Sequence, residues 1–436
     1  MLICVICPAM KRIIHSYRQL PRYVYYLVTA EFFIQLISSS FFMLLNYYLQ
    51  DNGYSEAETA RIGSYRFVSV LLLAVPLGFF IRGKKMKPLF LTGAILVPLL
   101  SIGVIYSIAH HYTWLIKIFM LLWGFSFMFL QVTGLPFIIN NVRKDLQTEA
   151  ISLFFQTYGV SMMLAGVLNY VLKKTLPDTF HEENLLLFFS ALGFVAIVFV
   201  LLMHSDEKPH QKEGFSSKLS LYENVHRLYS DYDWRIILRV EIPTLIIAMG
   251  AGFTIPFINL FFRNVHHVNA ENFSLLSSFA SILVSVGAFF IPHIRKRYGF
   301  HIAITAFQSM AILALILMAA TEWFAAYPMA AVAASALYII RQPLMNVAGP
   351  ATSELTLNYA GKRNREIISS LSASIWSGSW LFSSWIFAML KDMRVSYANI
   401  ILLTSTLYCL GVVWYYLLIN EYKSKVASGE INHDDD

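Results

Sequence analysis

Arg341 stands about thirteen residues from either end of an apolar run between Pro328 and Glu354. In a helix that places its guanidinium roughly 20 Å from both edges of the run, near the middle of a bilayer. A charge there costs several kcal/mol unless it is paired or faces water, which marks Arg341 as a candidate site residue. The competing role is a structural pair with a buried carboxylate such as Glu31. A helix through this run presents Tyr338, Gln342 and Asn346 on one face and Arg341, Met345 and Gly349 on the next. Glu31, Gln35 and Ser38 fall at i, i+4 and i+7, again one face. A carboxylate with little water around it can take up and release a proton; the alternative for Glu31 is an ion pair with an arginine.

Other polar residues lie in apolar surroundings. Lys117, Gly124 and Gln131 are spaced by seven. Lys117, one turn from an edge, is expected to snorkel to the headgroups, and Gln131 to contact a ligand or another helix. Asn259 follows Pro256, where a kink can expose backbone carbonyls. Arg66, two turns inside its helix, either lines an outer vestibule or pairs with Glu56 or Glu58. Glu241 is expected to pair with Arg239 or Arg235 at a rim. Ala373, Trp376, Trp380 and Ser383 form a stripe that serves packing or ligand contact, next to serines at 369, 370, 372, 374, 377 and 379. The candidate substrate contacts are Arg341, Gln35, Gln131, Asn346, Tyr338, Asn259, Trp376 and Arg66, with Glu31 as the proton carrier.

The elements that must hold these residues follow from composition. Of 436 residues, 57% are hydrophobic and 14% charged, and mean hydropathy is +0.58. A water-soluble chain cannot bury that much apolar surface, so lipid is the solvent for most of it. The formal charge of +7 resides in short clumps between apolar runs, a pattern of membrane topology and not of a nucleic-acid patch. Twelve apolar runs of spanning length lie near 24–48, 60–82, 89–109, 113–138, 149–172, 185–203, 236–262, 272–292, 302–321, 327–352, 367–390 and 397–419. Runs this long satisfy their backbone in hydrocarbon as helices. With the N-terminus inside, 23 Lys and Arg fall in cytoplasmic segments and five in outer loops, which places both termini in the cytoplasm.

The expected organisation is a cytoplasmic leader (1–23), a six-helix bundle (24–203), a polar cytoplasmic loop (204–235), a second six-helix bundle (236–419) and a tail (420–436). An amphipathic piece at 219–229 suits the membrane surface, and the closing NHDDD suits disorder.

Enzymatic and metal chemistry find little support. Cys4 and Cys7 form a C-x-x-C with no second ligand pair, and His110–His111 and His266–His267 read as solvated loop residues. GFFIRGKK (78–85) matches a phosphate-loop spacing but has Lys85 where Ser or Thr is required, and it ends an apolar helix. No nucleophile–base arrangement, cofactor or metal is implied.

The halves repeat. GFFI (78–81) answers GAFFI (287–291), QVTGLP (131–136) answers NVAGP (346–350), and EAIS (149–152) answers EIIS (366–369), at offsets of 209, 215 and 217. The repeat aligns Gln131 with Asn346 but matches Arg341 to Ser126, so the charge is not duplicated. Internal repeats of this kind mark secondary transporters, with the site at the repeat interface.

Twelve helices, a central loop and a basic turn repeated after helices 2 and 8 resemble the major facilitator superfamily. Its signature turn, G-x-x-x-D-R-x-G-R-K, is approached by GFFIRGKKMK (78–87) and GAFFIPHIRKRYG (287–299), neither of which carries the acidic residue. The segment FMLLNYYLQDNGYSEAETARIGSYR (42–66) is similar to bacterial members. The resemblance implies an all-α membrane protein of two pseudo-symmetric bundles, with helices 1, 4, 7 and 10 lining a cavity and 3, 6, 9 and 12 facing lipid. Those four cavity helices contain Glu31, Lys117, Arg239, Glu241 and Arg341, whereas the interiors of helices 3, 6, 9 and 12 carry no charge. It also implies a proton-coupled transporter of a small organic solute in the cytoplasmic membrane, acting as a monomer by alternating access. Excess cavity charge leans to an anionic or zwitterionic solute. The alternatives are a proton-driven exporter of drug-like or lipidic compounds, or a non-transporting receptor or scaffold.

Overall fold

The computed structural model describes residues 17–80, 85–143, 146–203 and 232–429. Cys4 and Cys7, most of the expected leader and central loop, part of the first basic turn (81–84) and the acidic tail lie outside the described residues, as do the side chains of Lys362, Arg363 and Arg365.

Among the described residues every regular element is a helix. We number them α1 (Arg22–Asp51), α2 (Glu56–Phe80), α3 (Lys87–Ala109), α4 (Thr113–Asn141), α5 (Gln147–Thr175), α6 (Glu182–Leu202), α7 (Trp234–His266), α8 (residues 270–298), α9 (residues 300–324), α10 (residues 328–360), α11 (residues 362–392) and α12 (Tyr397–Ala427). This matches the twelve runs read from sequence. Nine helices among the described residues are long and apolar enough to cross a membrane on length and composition alone. The other three are α2, with Arg61 and Arg66, α10, with Arg341 and Gln342, and the serine-rich α11.

Local chemistry sets the boundaries. Ser55 and Glu58 close a capping box at the start of α2: the Glu58 amide donates to Ser55 Oγ at 3.2 Å, and the Ser55 amide donates to Glu58 Oε2 at 2.9 Å. Asp233 caps α7 and Ser396 caps α12 through their side-chain oxygens. The α8–α9 and α10–α11 turns pass through Gly299 (φ 76°) and Gly361 (φ 73°), a left-handed backbone that residues with a Cβ adopt at a cost. Pro256 interrupts α7 with a single 3₁₀ turn at Ile255–Phe257, as its missing N–H requires.

The chain forms two compact units, residues Met1–Leu45 with Leu72–Gly214, and Asn46–Leu71 with Phe215–Asp436. In the first, small residues let helices approach closely. A Cβ on Gly93 of α3 would meet Leu130, one on Gly134 of α4 would meet the Phe154 ring, and one on Gly193 of α6 would meet Ile37 of α1. Trp123 stacks on Phe41 at 5.5 Å and donates to Ser101 Oγ at 2.8 Å, so its indole N–H is satisfied inside the unit.

The second unit uses the same device: Gly250 of α7 lies against Tyr408 of α12, and Gly252 of α7 against Ser383 of α11. Its distinctive part is the 46–71 segment, which is tied to α7, α11 and α12 through polar contacts. Asn46 donates to the Pro256 carbonyl at 2.9 Å and to Asn259 Oδ1 at 2.8 Å. Tyr47 donates to the Val268 carbonyl at 2.9 Å, while Arg263 donates to the Tyr47 carbonyl at 2.8 Å and pairs with Asp51. Glu56 accepts from Tyr397 at 2.7 Å and from Asn264, and pairs with Lys391 at 2.8 Å. Arg61 pairs with Asp392, and Trp385 donates to Ser64 at 3.0 Å.

Glu56 is the hub of this cluster, and the side chain of Lys391 is only 10% exposed. Glu56→Ala removes the counter-charge and leaves that ammonium to the Val395 carbonyl and the Tyr397 ring, at a cost of about 3 kcal/mol. Thermal unfolding of the purified protein in detergent is expected to show a clear drop in Tm, largely restored in Glu56→Ala/Lys391→Met. An unchanged Tm in the single variant would show that the pair is not structural.

Candidate functional site

The first unit holds Glu31 on α1, 1% exposed. Gln35, one turn on, donates to its Oε1 at 2.8 Å, and Gln131 of α4 donates to the same oxygen at 3.1 Å. Gln131 is itself exposed, so it joins the buried carboxylate to an open surface. Glu31 Oε2 is buried without a hydrogen-bond partner among the described residues. Within this unit no ion pair reaches Glu31 among the described residues. The i, i+4 spacing that puts Glu31 and Gln35 on one face thus becomes a direct hydrogen bond. Three residues singled out from the sequence converge here: Glu31, Gln35 and Gln131. Lys117 lies apart from them, its ammonium 5.0 Å from the Trp114 ring centroid near the start of α4. That position suits the snorkelling expected of it.

The second unit holds Arg341 on α10, 3% exposed. One terminal nitrogen donates to Gln342 Oε1 at 3.2 Å and the other to the Tyr408 hydroxyl of α12 at 3.2 Å. Its Nε is buried without a partner among the described residues. Gln342 in turn donates to the Tyr338 hydroxyl at 3.0 Å, and Asn346 donates to Gln342 Oε1 at 3.1 Å. Asn346 is exposed, whereas Tyr338 and Tyr408 are fully enclosed. The cluster is one guanidinium, two amides and two phenols, without a carboxylate among its described hydrogen-bond partners. It can present a fixed positive charge and several donors to an acceptor-rich group.

The remaining candidates sit elsewhere in the second unit. Asn259 is buried, its Oδ1 accepting from Asn46 and from the Leu260 amide at 2.9 Å, so it belongs to the polar ties of the 46–71 segment. The carbonyl of Pro256 itself, at the kink, accepts from Asn46. Arg66 lies over the Phe67 ring at 4.6 Å; Glu58 is used in the capping box and Glu56 on Lys391. Trp376 is 40% exposed and meets Trp380 at 6.3 Å, and Trp380 meets Phe67 edge-on at 5.5 Å.

One expectation is corrected. Glu241 does not pair with Arg239: that arginine reaches Glu421 at 2.7 Å, and Glu241 is buried under Ser372 of α11, whose hydroxyl donates to Oε1 at 2.6 Å. The carboxylate faces α11 instead of the rim because α7 turns it inward. α12 exposes Leu410, Val413 and Leu417 on one face, and on another it buries Tyr408, Tyr415 and Tyr422, spaced by seven, of which Tyr408 completes the Arg341 cluster.

The sequence model described as "Major Facilitator Superfamily" matches residues 171–384. No curated protein matches the chain in sequence. Among solved structures, the chain is similar to a POT family transporter in complex with 5-aminolevulinic acid, at TM-score 0.72 and 13% identity over 92% of this chain and 96% of that one. It is also similar to the POT family transporter PepTSo, at TM-score 0.71 and 13% identity over 93% and 99%. A third is the nucleoside transporter NupG, at TM-score 0.69 and 14% identity over 92% and 99%. At these identities the likeness speaks for the fold, which is that of multi-pass membrane transporters. The matched residues span α7 to α10 and most of α11, and include Arg341, Gln342 and Asn346.

Proposed function

We propose that this chain is a secondary active transporter that moves a small organic solute, anionic or zwitterionic, across the cytoplasmic membrane by alternating access, with protons as the coupling ion. The bodies that exchange access are the bundles 24–203 and 236–419, and both termini face the cytoplasm. The protein works as a monomer.

One observation carries the reading: a fully buried guanidinium whose described hydrogen-bond partners are all neutral. Burying such a charge is costly, and a carboxylate or phosphate brought by a solute would compensate it. Gln342 and Asn346 extend the donor surface from Arg341 toward the exposed side of α10. The solute class agrees with the zwitterionic 5-aminolevulinic acid bound by one similar transporter.

Glu31 supports the coupling. Both amides donate to Oε1, so a proton can join Oε2 without breaking either hydrogen bond. A protonated Glu31 leaves no charge in the hydrocarbon, and a deprotonated one leaves a charge held by two donors. The two states keep the same geometry, which suits reversible loading.

A panel of amino acids, dipeptides, nucleosides and organic acids screened by thermal shift tests the solute class. A ligand at 100 times its Kd stabilises the folded state by about 2.7 kcal/mol. Organic anions or zwitterions are expected to raise the Tm of the wild type, and Arg341→Ala, folded by size-exclusion profile, to show none of that shift. A wild-type shift retained in Arg341→Ala would remove Arg341 from the site.

For coupling, wild type and Glu31→Gln are reconstituted in liposomes with a hit from that panel. Wild type is expected to accumulate the compound against its gradient when a pH gradient is imposed. Glu31→Gln is expected to exchange labelled for unlabelled compound yet accumulate none. Accumulation at the wild-type level in Glu31→Gln would rule out Glu31 as the coupling group.

A further inference from the structure

Glu241 is a second ionisable group enclosed in the protein, 2% exposed and about 10 Å along α7 from its start at Trp234. Ser372 donates to Oε1 at 2.6 Å, and Oε2 has no hydrogen-bond partner among the described residues. Among the described residues, the neighbouring charged side chains are paired elsewhere or exposed. On its own helix Arg239 pairs with Glu421 and Arg235 is exposed. From α12, Tyr415 bonds Thr244 at 3.1 Å, and Glu421 is further held by Lys425 at 3.6 Å. From α10, Tyr359 donates to Glu421 at 2.6 Å. From α11, Ser372 is the group that meets it among the described residues.

Glu31 and Glu241 lie 210 residues apart, inside the 209–217 offset of the internal repeat. Each stands in the first helix of its half, nine residues into α1 and seven into α7. In each, neutral donors hold Oε1 and leave Oε2 bare. Arg341 is unduplicated, matching Ser126; the buried carboxylate is duplicated. A charge that costs several kcal/mol in hydrocarbon would be tolerated twice at matching positions if each copy is neutral for part of a working cycle.

We infer that Glu241 is a second proton-binding site, the second-half counterpart of Glu31; the inference rests on the proton-coupled reading above. The proton adds to Oε2, converting carboxylate to carboxylic acid while the Ser372 hydrogen bond to Oε1 is kept, and on release it returns to water. No other reactant takes part. The cycle then carries two protonatable carboxylates, one in each half.

The test needs no substrate. Infrared difference spectra of the full-length protein in liposomes, recorded between low and high pH, report the carbonyl stretch of protonated carboxylic acids. Wild type is expected to show two buried components, one lost in Glu241→Gln and the other in Glu31→Gln. A wild-type spectrum from Glu241→Gln overturns the inference. A wild-type spectrum from Glu31→Gln strikes instead at the coupling role of Glu31, so the two failures are separable. Should Glu241→Gln fail to fold, Ser372→Ala decides: loss of its hydrogen bond is expected to move the Glu241 component and leave the Glu31 component in place. A component that stays fixed in Ser372→Ala overturns the inference equally.

Discussion

A polar group inside hydrocarbon has no water to fall back on, and the arrangement of this protein follows from that. Backbone groups are satisfied by making every described element a helix. Side-chain charges are satisfied in two different ways. Near helix ends they meet opposite charges: Lys173 with Glu182, Arg295 with Glu354, Lys391 with Glu56. Deeper in the helices, Glu31, Glu241 and Arg341 meet only amides, hydroxyls and phenols among their described partners. A neutral shell orients a charge without cancelling it. That is poor for stability and useful for binding something that arrives from outside.

The 46–71 segment shows the first arrangement at its densest. Asn46, Tyr47, Asp51, Glu56, Arg61 and Ser64 all find partners on α7, α8, α11 or α12 or in the turns that join them. The end of α1 and the beginning of α2 therefore fold as part of the second compact unit, although the chain places them early. Their polar residues have nearby donors and acceptors there, so the segment carries its charges without leaving any of this set stranded.

Much of the architecture was legible because it depends on composition and local rules. Apolar runs of spanning length gave the twelve helices, and the basic turns held the glycines, at 299 and 361, whose positive φ lets the chain reverse. The face rule brought Gln35 to Glu31, since i, i+4 is a contact written in the sequence itself. What escaped was long-range. Nothing local connects Glu241 with Ser372, 131 residues away, or Glu56 with Lys391 and Tyr397. Tyr408 is long-range in the same sense, 67 residues from the Arg341 it bonds. Two residues aligned by the repeat, Gln131 and Asn346, are both exposed, and each hydrogen-bonds toward the charge of its own unit, Gln131 directly and Asn346 through Gln342.

The two kinds of buried charge differ in what a proton can do to them. A guanidinium holds its proton in proteins, so a cluster built on arginine presents the same positive charge at every working pH. A carboxylate exchanges its proton, so Glu31 and Glu241 can each exist charged or neutral. The partner sets fit this difference. Arg341 is held by acceptors from two sides, Gln342 and Tyr408, which fix its direction. Glu31 and Glu241 are each held through a single oxygen, which fixes their place and leaves the other oxygen open to a proton. On the function proposed above, the fixed charge would serve the solute and the switchable charges the ion, so the two tasks of a coupled carrier would fall on different residues.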